Sequence, residues 1–189
     1  AAIHRGVREG YARGYLRKSV VDPLSRKNTM DNTPAVIHAD IVPGNKLTVT
    51  VSPKGFGSEN MSAVRMFNPT AAVKDVQDFI VDCVLQAGAR PCPPLVVGVG
   101  IGGTFETAAL LAKKALLKPL VGKDPDKKLA DLEKVLLHKI NKLGIGPAGL
   151  GGSVTALAVK VLAHPTHIAG FPGAVNICCH ALRHASRVI

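Results

Sequence analysis

Aromatic side chains are scarce in this chain of 189 residues: they make up 4%, and tryptophan is absent. So few rings leave little on which to stack bases, which argues against a role on single-stranded nucleic acid. Carboxylates are also in short supply, 13 Asp and Glu against 24 Lys and Arg, for a formal charge of +11. That balance points to an anionic partner: nucleic acid, an acidic membrane surface, or a small carboxylate or phosphate. No apolar run spans a bilayer, because residues 143–159, the longest stretch free of Asp, Glu, Lys, Arg and His, are broken by glycines and Pro147. No signal-peptide pattern stands at the N-terminus. Close Cys-x-x-Cys pairs are missing too. The cysteines Cys83, Cys92, Cys178 and Cys179 form neither a disulfide framework nor a zinc pattern, so reduced thiols and a reducing, cytoplasmic compartment are expected.

What is present centres on residues 90–114. Cys92 is fenced by Pro91, Pro93 and Pro94, which fix an extended approach and exclude a helix there. Leu95, Val96, Val97 and Val99 predict a buried strand, and Ala108, Leu111, Ala112 and Ala115 recur at helical spacing after Thr104, a candidate N-cap. Gly98, Gly100 and Gly103 match the G-x-G-x-x-G spacing of dinucleotide sites. The acidic residue that should close a second strand about twenty positions on is missing, and a polar turn stands at 122–128 instead. Close packing of strand on helix is the plainer explanation of these glycines.

In chain order, residues 1–20 carry Ile3, Val7, Tyr11 and Leu16 at helical spacing. A long polar connection follows, rich in Asn, Asp and Pro. Residues 35–41 and 46–51 predict a hairpin about Pro43-Gly44-Asn45. Next comes the loop Lys54-Gly55-Phe56-Gly57-Ser58-Glu59-Asn60, whose glycines permit close approach to backbone N–H groups. Residues 69–87 predict a helix with Cys83 on its apolar face, residues 125–142 another with lysines on its outer side, and residues 153–161 and 174–178 strands. The composite is a mixed α/β fold with short strands, packed helices and glycine-rich loops, in a chain long enough for one good core or two small ones.

The chemistry open to these residues is not unique. Cys92 and Cys178 or Cys179 end apolar runs beside proline or glycine turns, which suits thiolate ligation of an iron–sulfur cluster. A cysteine nucleophile with His167 or His180, or plain buried thiols, fits the spacing equally well.

A resemblance narrows the choice. Residues 16–19, 28–35, 54–60, 91–94, 98–104, 143–147, Pro165-Thr166-His167-Ile168-Ala169 and 176–180 closely resemble the α subunit of class I fumarate hydratases, and the related L(+)-tartrate dehydratase α subunit has the same pattern. The likeness runs through the whole chain in order. It implies an iron–sulfur hydro-lyase acting on a small dicarboxylate: hydration of fumarate to malate, or dehydration of tartrate to oxaloacetate. It also implies a 4Fe-4S cluster held by three cysteines, with Cys92 and Cys179 matching the second and third ligands. Arg17, Gly57 and His167 match substrate-contacting positions, through guanidinium, backbone and ring respectively. The family's first cluster cysteine lies in a Cys-Gln-Asp-Thr segment upstream, so this chain resembles a fragment. A β subunit or C-terminal domain would supply the general base and further arginines, giving a hetero-oligomer, with no nucleic-acid or membrane partner. The competing class is a non-catalytic basic binding module, whose affinity for nucleic acid would fall steeply with salt.

Overall fold

The computed structural model describes residues 1–189, and the backbone separates into two units, Ala1–Asn45 and Lys46–Ile189. The first unit contains one helix, α1 (Ala2–Arg13), shorter than the periodicity predicts because Gly14 and the left-handed Tyr15 end it. None of its residues is buried, so side chain-to-backbone bonds shape it. The Asn32 Oδ1 accepts from the N–H groups of Ser19 at 2.8 Å and Val20 at 3.2 Å. The Thr33 hydroxyl, the Thr33 N–H and Arg8 together pull the Asp31 carboxyl down to about 2.

The expected hairpin does not form. Residues 35–47 have no regular structure, and β1 (Thr48–Val51) pairs antiparallel with β6 (Ala185–Val188) instead. A turn signal beside a β-branched run establishes a strand but not its partner, which tertiary context chooses.

The core of the second unit is a four-stranded sheet in the order β2 (Ala63–Phe67), β5 (Phe171–Cys178), β3 (Leu95–Gly102), β4 (Ala156–His164). β3 runs parallel to β4 and antiparallel to β5, and β5 antiparallel to β2. One face meets α3 (Val73–Ala87) and α5 (Lys127–Asn141), where Val76, Ile80, Val84, Leu136 and Ile140 pack on Leu95, Val97, Val99, Val161, Val175 and Ile177. The other face meets α4 (Phe105–Ala115), a thinner layer of Ala108, Ala112 and Ala174.

Gly98 and Gly100 lie within β3 on that second face, not in a phosphate-binding turn. A Cβ added at either would sit 2.1 Å from the carbonyl oxygen of Ala112 or Ala108. Their absence of side chain is what lets α4 lie directly on the strand, which confirms the packing explanation.

β4 is an edge strand, and the chain between α4 and α5 passes around it. Glu133 Oε1 accepts from the Val161 N–H at 2.9 Å, and Lys118 Nζ donates to the Val161 carbonyl at 2.9 Å. Asn141 Oδ1 takes the N–H groups of Thr155 and Ala156, each at 2.8 Å. Side chains thus occupy the strand's outward backbone groups, which would otherwise invite a foreign strand. No helix is long and apolar enough to cross a membrane.

Candidate functional site

Sheet register decides which candidates meet. Cys92 precedes β3, Cys179 follows β5, and these strands are antiparallel neighbours with Val96 opposite Cys178. Both thiols therefore come to the same end of the sheet. A bond from the ring of the next residue links them: His180 Nδ1 lies 3.2 Å from the Cys92 carbonyl. Cys92 is exposed and adopts a left-handed φ of 56°; Cys179 is half-buried.

Cys178 differs. Its side chain points to the α4 face among Val96, Leu116 and Ala158. Burial pushes its thiol pKa up, only partly opposed by the charge of Lys54. Cys83 likewise belongs to the core, with burial raising its thiol to about 11. A protonated, buried thiol is a poor ligand, so the more accessible pair, Cys92 and Cys179, is the chemically competent one.

The loop before α2 (Phe56–Glu59) reaches the same sheet end. Lys54 Nζ donates to the carbonyl of Ile177 at 2.8 Å and pairs with Glu59 at 2.9 Å. Glu59 also accepts from Lys113 of α4 at 2.5 Å and from Asn176 of β5 at 3.1 Å. Burial works to raise the Glu59 pKa, but these donors prevail and hold it below the usual carboxylate range. Gly57 is exposed, and no atom lies within 4 Å of where its Cβ would be. The fold's packing therefore does not demand glycine there.

Not every predicted residue joins this group. His167 lies on the turn between β4 and β5, where Thr166 Oγ1 donates to the Gly103 carbonyl at 2.8 Å and the Ala169 N–H donates to His167 Nδ1 at 3.1 Å. That is the opposite end of the sheet. The eight residues of β3 put roughly 25 Å between the two ends, far beyond the length of a four-carbon substrate. Arg17 is exposed and belongs to the first unit.

For an iron–sulfur cluster the donors fit in kind and fall short in number. Cys92 and Cys179 are free, accessible soft ligands, yet no group of three or more His, Cys, Asp or Glu residues could hold a metal ion. The two thiols at this sheet end are two of the three thiolates that the resemblance implies. Sequence inspection missed Lys54, Glu59 and Asn176 as a network. The Lys-Gly-x-Gly-Ser-Glu loop was the available signal, since a lysine and a carboxylate five apart flank its glycines.

A mixed α/β unit that brings two free thiols and a braced glycine loop to one sheet end is of the kind that can share a thiolate-ligated centre. The chain belongs to the fumarate hydratase (Fumerase) family, whose model matches residues 1–188. It is 43% identical over 192 residues to a Methanocaldococcus jannaschii protein provisionally named L(+)-tartrate dehydratase subunit alpha, covering 99% of this chain and 67% of that one. It is 31% identical over 191 residues to the L(+)-tartrate dehydratase subunit alpha of Escherichia coli O157:H7, covering 99% and 63%. The K12 strain's protein of that name is 30% identical over the same length. The chain thus spans about two thirds of the length of these curated relatives.

Proposed function

We propose that this chain forms part of a hydro-lyase that adds water to, or removes it from, a four-carbon dicarboxylate. The observation that carries this is the convergence of Cys92, Cys179 and the Gly57 loop on one end of the sheet, in a chain of the fumarate hydratase family. Cys92 and Cys179 would hold two irons of a 4Fe-4S cluster. When bound, that group supplies Lewis acidity toward the substrate's hydroxyl and carboxylate oxygens.

This chain's own part is to hold and orient. The exposed amide of Gly57 donates to a substrate carboxylate, and Arg17 is assigned the bidentate clamp on a carboxylate. Cys178 stays protonated and closes the floor under the loop. His167 is given no place on a substrate beside the thiols of its own chain, because a strand's length separates them. The relatives' names, subunit alpha, suggest a partner subunit, and on this reading the base that removes the C3 proton and the third thiol lie outside these residues.

Hydration of fumarate to malate is the first reading. Dehydration of tartrate to oxaloacetate and water is the second, favoured by the names of the relatives. The test is anaerobic loading with iron and sulfide of this chain alone, and of the complete two-subunit enzyme. Cluster absorbance is followed beside turnover of fumarate and of L-tartrate. Absorbance and turnover in the complete enzyme only are expected; a complete enzyme that takes up no iron and turns over neither acid refutes the proposal.

A further inference from the structure

We propose that Lys54 is a positioning residue: its ammonium locks the loop carrying Gly57 onto the Cys179 end of β5, and so fixes where the Gly57 amide meets a substrate carboxylate. This rests on the hydro-lyase reading above. The ammonium has four oxygen neighbours: the Ile177 carbonyl at 2.8 Å, Glu59 Oε2 at 2.9 Å, Ser58 Oγ at 3.2 Å and the Gly55 carbonyl at 3.4 Å. Its side chain is 13% exposed. A lysine has three protons to give, so Lys54 is fully subscribed and has none left for a substrate. Its charge serves the loop.

Beyond these bonds and those of Glu59 to Lys113 and Asn176, the loop has no apolar anchor. Within residues 53–60 only Ser58 is buried, and Phe56, the large apolar side chain there, is 74% exposed. Gly57 has no packing neighbour to set its place. The Ser58 hydroxyl donates back to the Gly55 carbonyl at 3.0 Å, so Lys54, Ser58 and Gly55 close a small polar ring about the turn. Two contacts leave that ring for β5: Lys54 reaches the Ile177 carbonyl, two residues before Cys179, and Ser58 meets the Cys178 thiol. Lys113 makes a useful contrast. It binds the same Glu59 carboxylate at 2.5 Å but comes from α4, and it touches no loop carbonyl.

The experiment compares Lys54→Met, Lys54→Arg, Ser58→Ala and Lys113→Met in the complete two-subunit enzyme. Two quantities are read: kcat and KM for the dicarboxylate, and hydrogen exchange of the amides of residues 55–60. Lys54→Met is expected to raise KM about tenfold with kcat changed less than about threefold, the pattern of weakened binding. Exchange in the loop should quicken about tenfold as it opens locally. Lys54→Arg should recover most of both. Ser58→Ala, the milder change, should raise KM about threefold, and Lys113→Met should move neither quantity by more than about twofold. A merely structural lysine would lower thermal stability without shifting the KM of the surviving enzyme. An unchanged KM or exchange rate in Lys54→Met and Ser58→Ala, or equal effects from Lys113→Met, overturns the proposal. If the wild-type enzyme turns over no dicarboxylate, the hydro-lyase reading is what fails, and loop exchange alone still decides whether Lys54 holds the turn.

Discussion

Replacing Glu133 with alanine should cost about 3–5 kcal/mol, the usual loss when one partner of a buried ionic group is removed. The magnitude follows from what the carboxylate does. Glu133 accepts from Lys118 at 2.9 Å and from the Val161 N–H at 2.9 Å, and its second oxygen lies 3.6 Å from Lys160. A hydrogen bond involving a charged group is worth about 1.5–3 kcal/mol, and the variant removes two. It also leaves Lys160, whose side chain is 6% exposed, without its nearest carboxylate, and an edge N–H without an acceptor. Urea unfolding at neutral pH measures the loss. Glu133→Gln keeps an acceptor for Val161 and should cost about half as much. Lys118→Met combined with Glu133→Leu should recover little of the loss, because Lys160 and Asp124 are then left without their partners. Burial works to lower the Lys118 pKa, but the hydrogen bonds it donates to Asp124 and Glu133 raise it above the ordinary 10.5. Its folded-state contribution is therefore fully present below that value and fades as pH climbs through the higher folded one. A loss under about 1 kcal/mol for Glu133→Ala, with no steeper alkaline decline in wild type than in the variant, would refute the reasoning.

Gly100→Ala should destabilise by about 1–3 kcal/mol or more, since the new methyl meets the Ala108 oxygen at 2.1 Å and the Ala112 nitrogen at 2.6 Å, both backbone atoms that move only with α4. Gly57→Ala, with open space around it, should leave unfolding within about 0.5 kcal/mol and instead raise KM; equal stability losses in calorimetry would count against both statements. The depressed Glu59 pKa stabilises the fold above the ordinary 4.5 and is lost as pH falls through the lower folded value. Thermal midpoints of wild type should therefore drop below pH 4.5 more steeply than those of Glu59→Gln, and parallel curves would show that the lysines do not hold the carboxylate. In the assembled enzyme Cys92→Ser should abolish most cluster absorbance, whereas His167→Asn, a strand's length away, should leave it intact; loss in both would contradict the sheet register.

Several elements could be read directly from the chain. α3, β3, α4 and α5 announce themselves by apolar periodicity, and Gly88 closes α3 with a φ of 56°. β2 was not evident, because Ala63-Val64-Arg65-Met66-Phe67 puts a cation at its centre. That arginine lies over the rings of Phe67 at 5.4 Å and Phe79 at 5.9 Å, an accommodation that exists only once α3 has docked. The resemblance alone paired the two thiols, and spacing could not, since their arrival at one sheet end depends on β5 inserting antiparallel between β2 and β3. His167 misleads in the opposite sense. It stands twelve positions before Cys179, but eight of the residues between them are the extended β5, and closeness along the chain becomes distance in space.

Charge sets a final constraint on the site. The chain carries +11, yet the lysines within its second unit that are most enclosed are already neutralised. Lys54 is taken up by Glu59, and Lys118 and Lys160 by Glu133, with Asp124 adding to Lys118. The excess is on the surface, where water and salt weaken it. A dicarboxylate brings two negative charges, and the thiol end of the sheet answers with a backbone amide and no enclosed, unpaired lysine. On the hydro-lyase reading, the cations that neutralise such a substrate are exposed ones or come from the rest of the enzyme. An isolated preparation of this chain should accordingly bind dicarboxylates weakly and in a strongly salt-dependent way. Tight, salt-insensitive binding by the chain alone, measured by calorimetry in low and high salt, would mean that Lys54 is not committed to its loop.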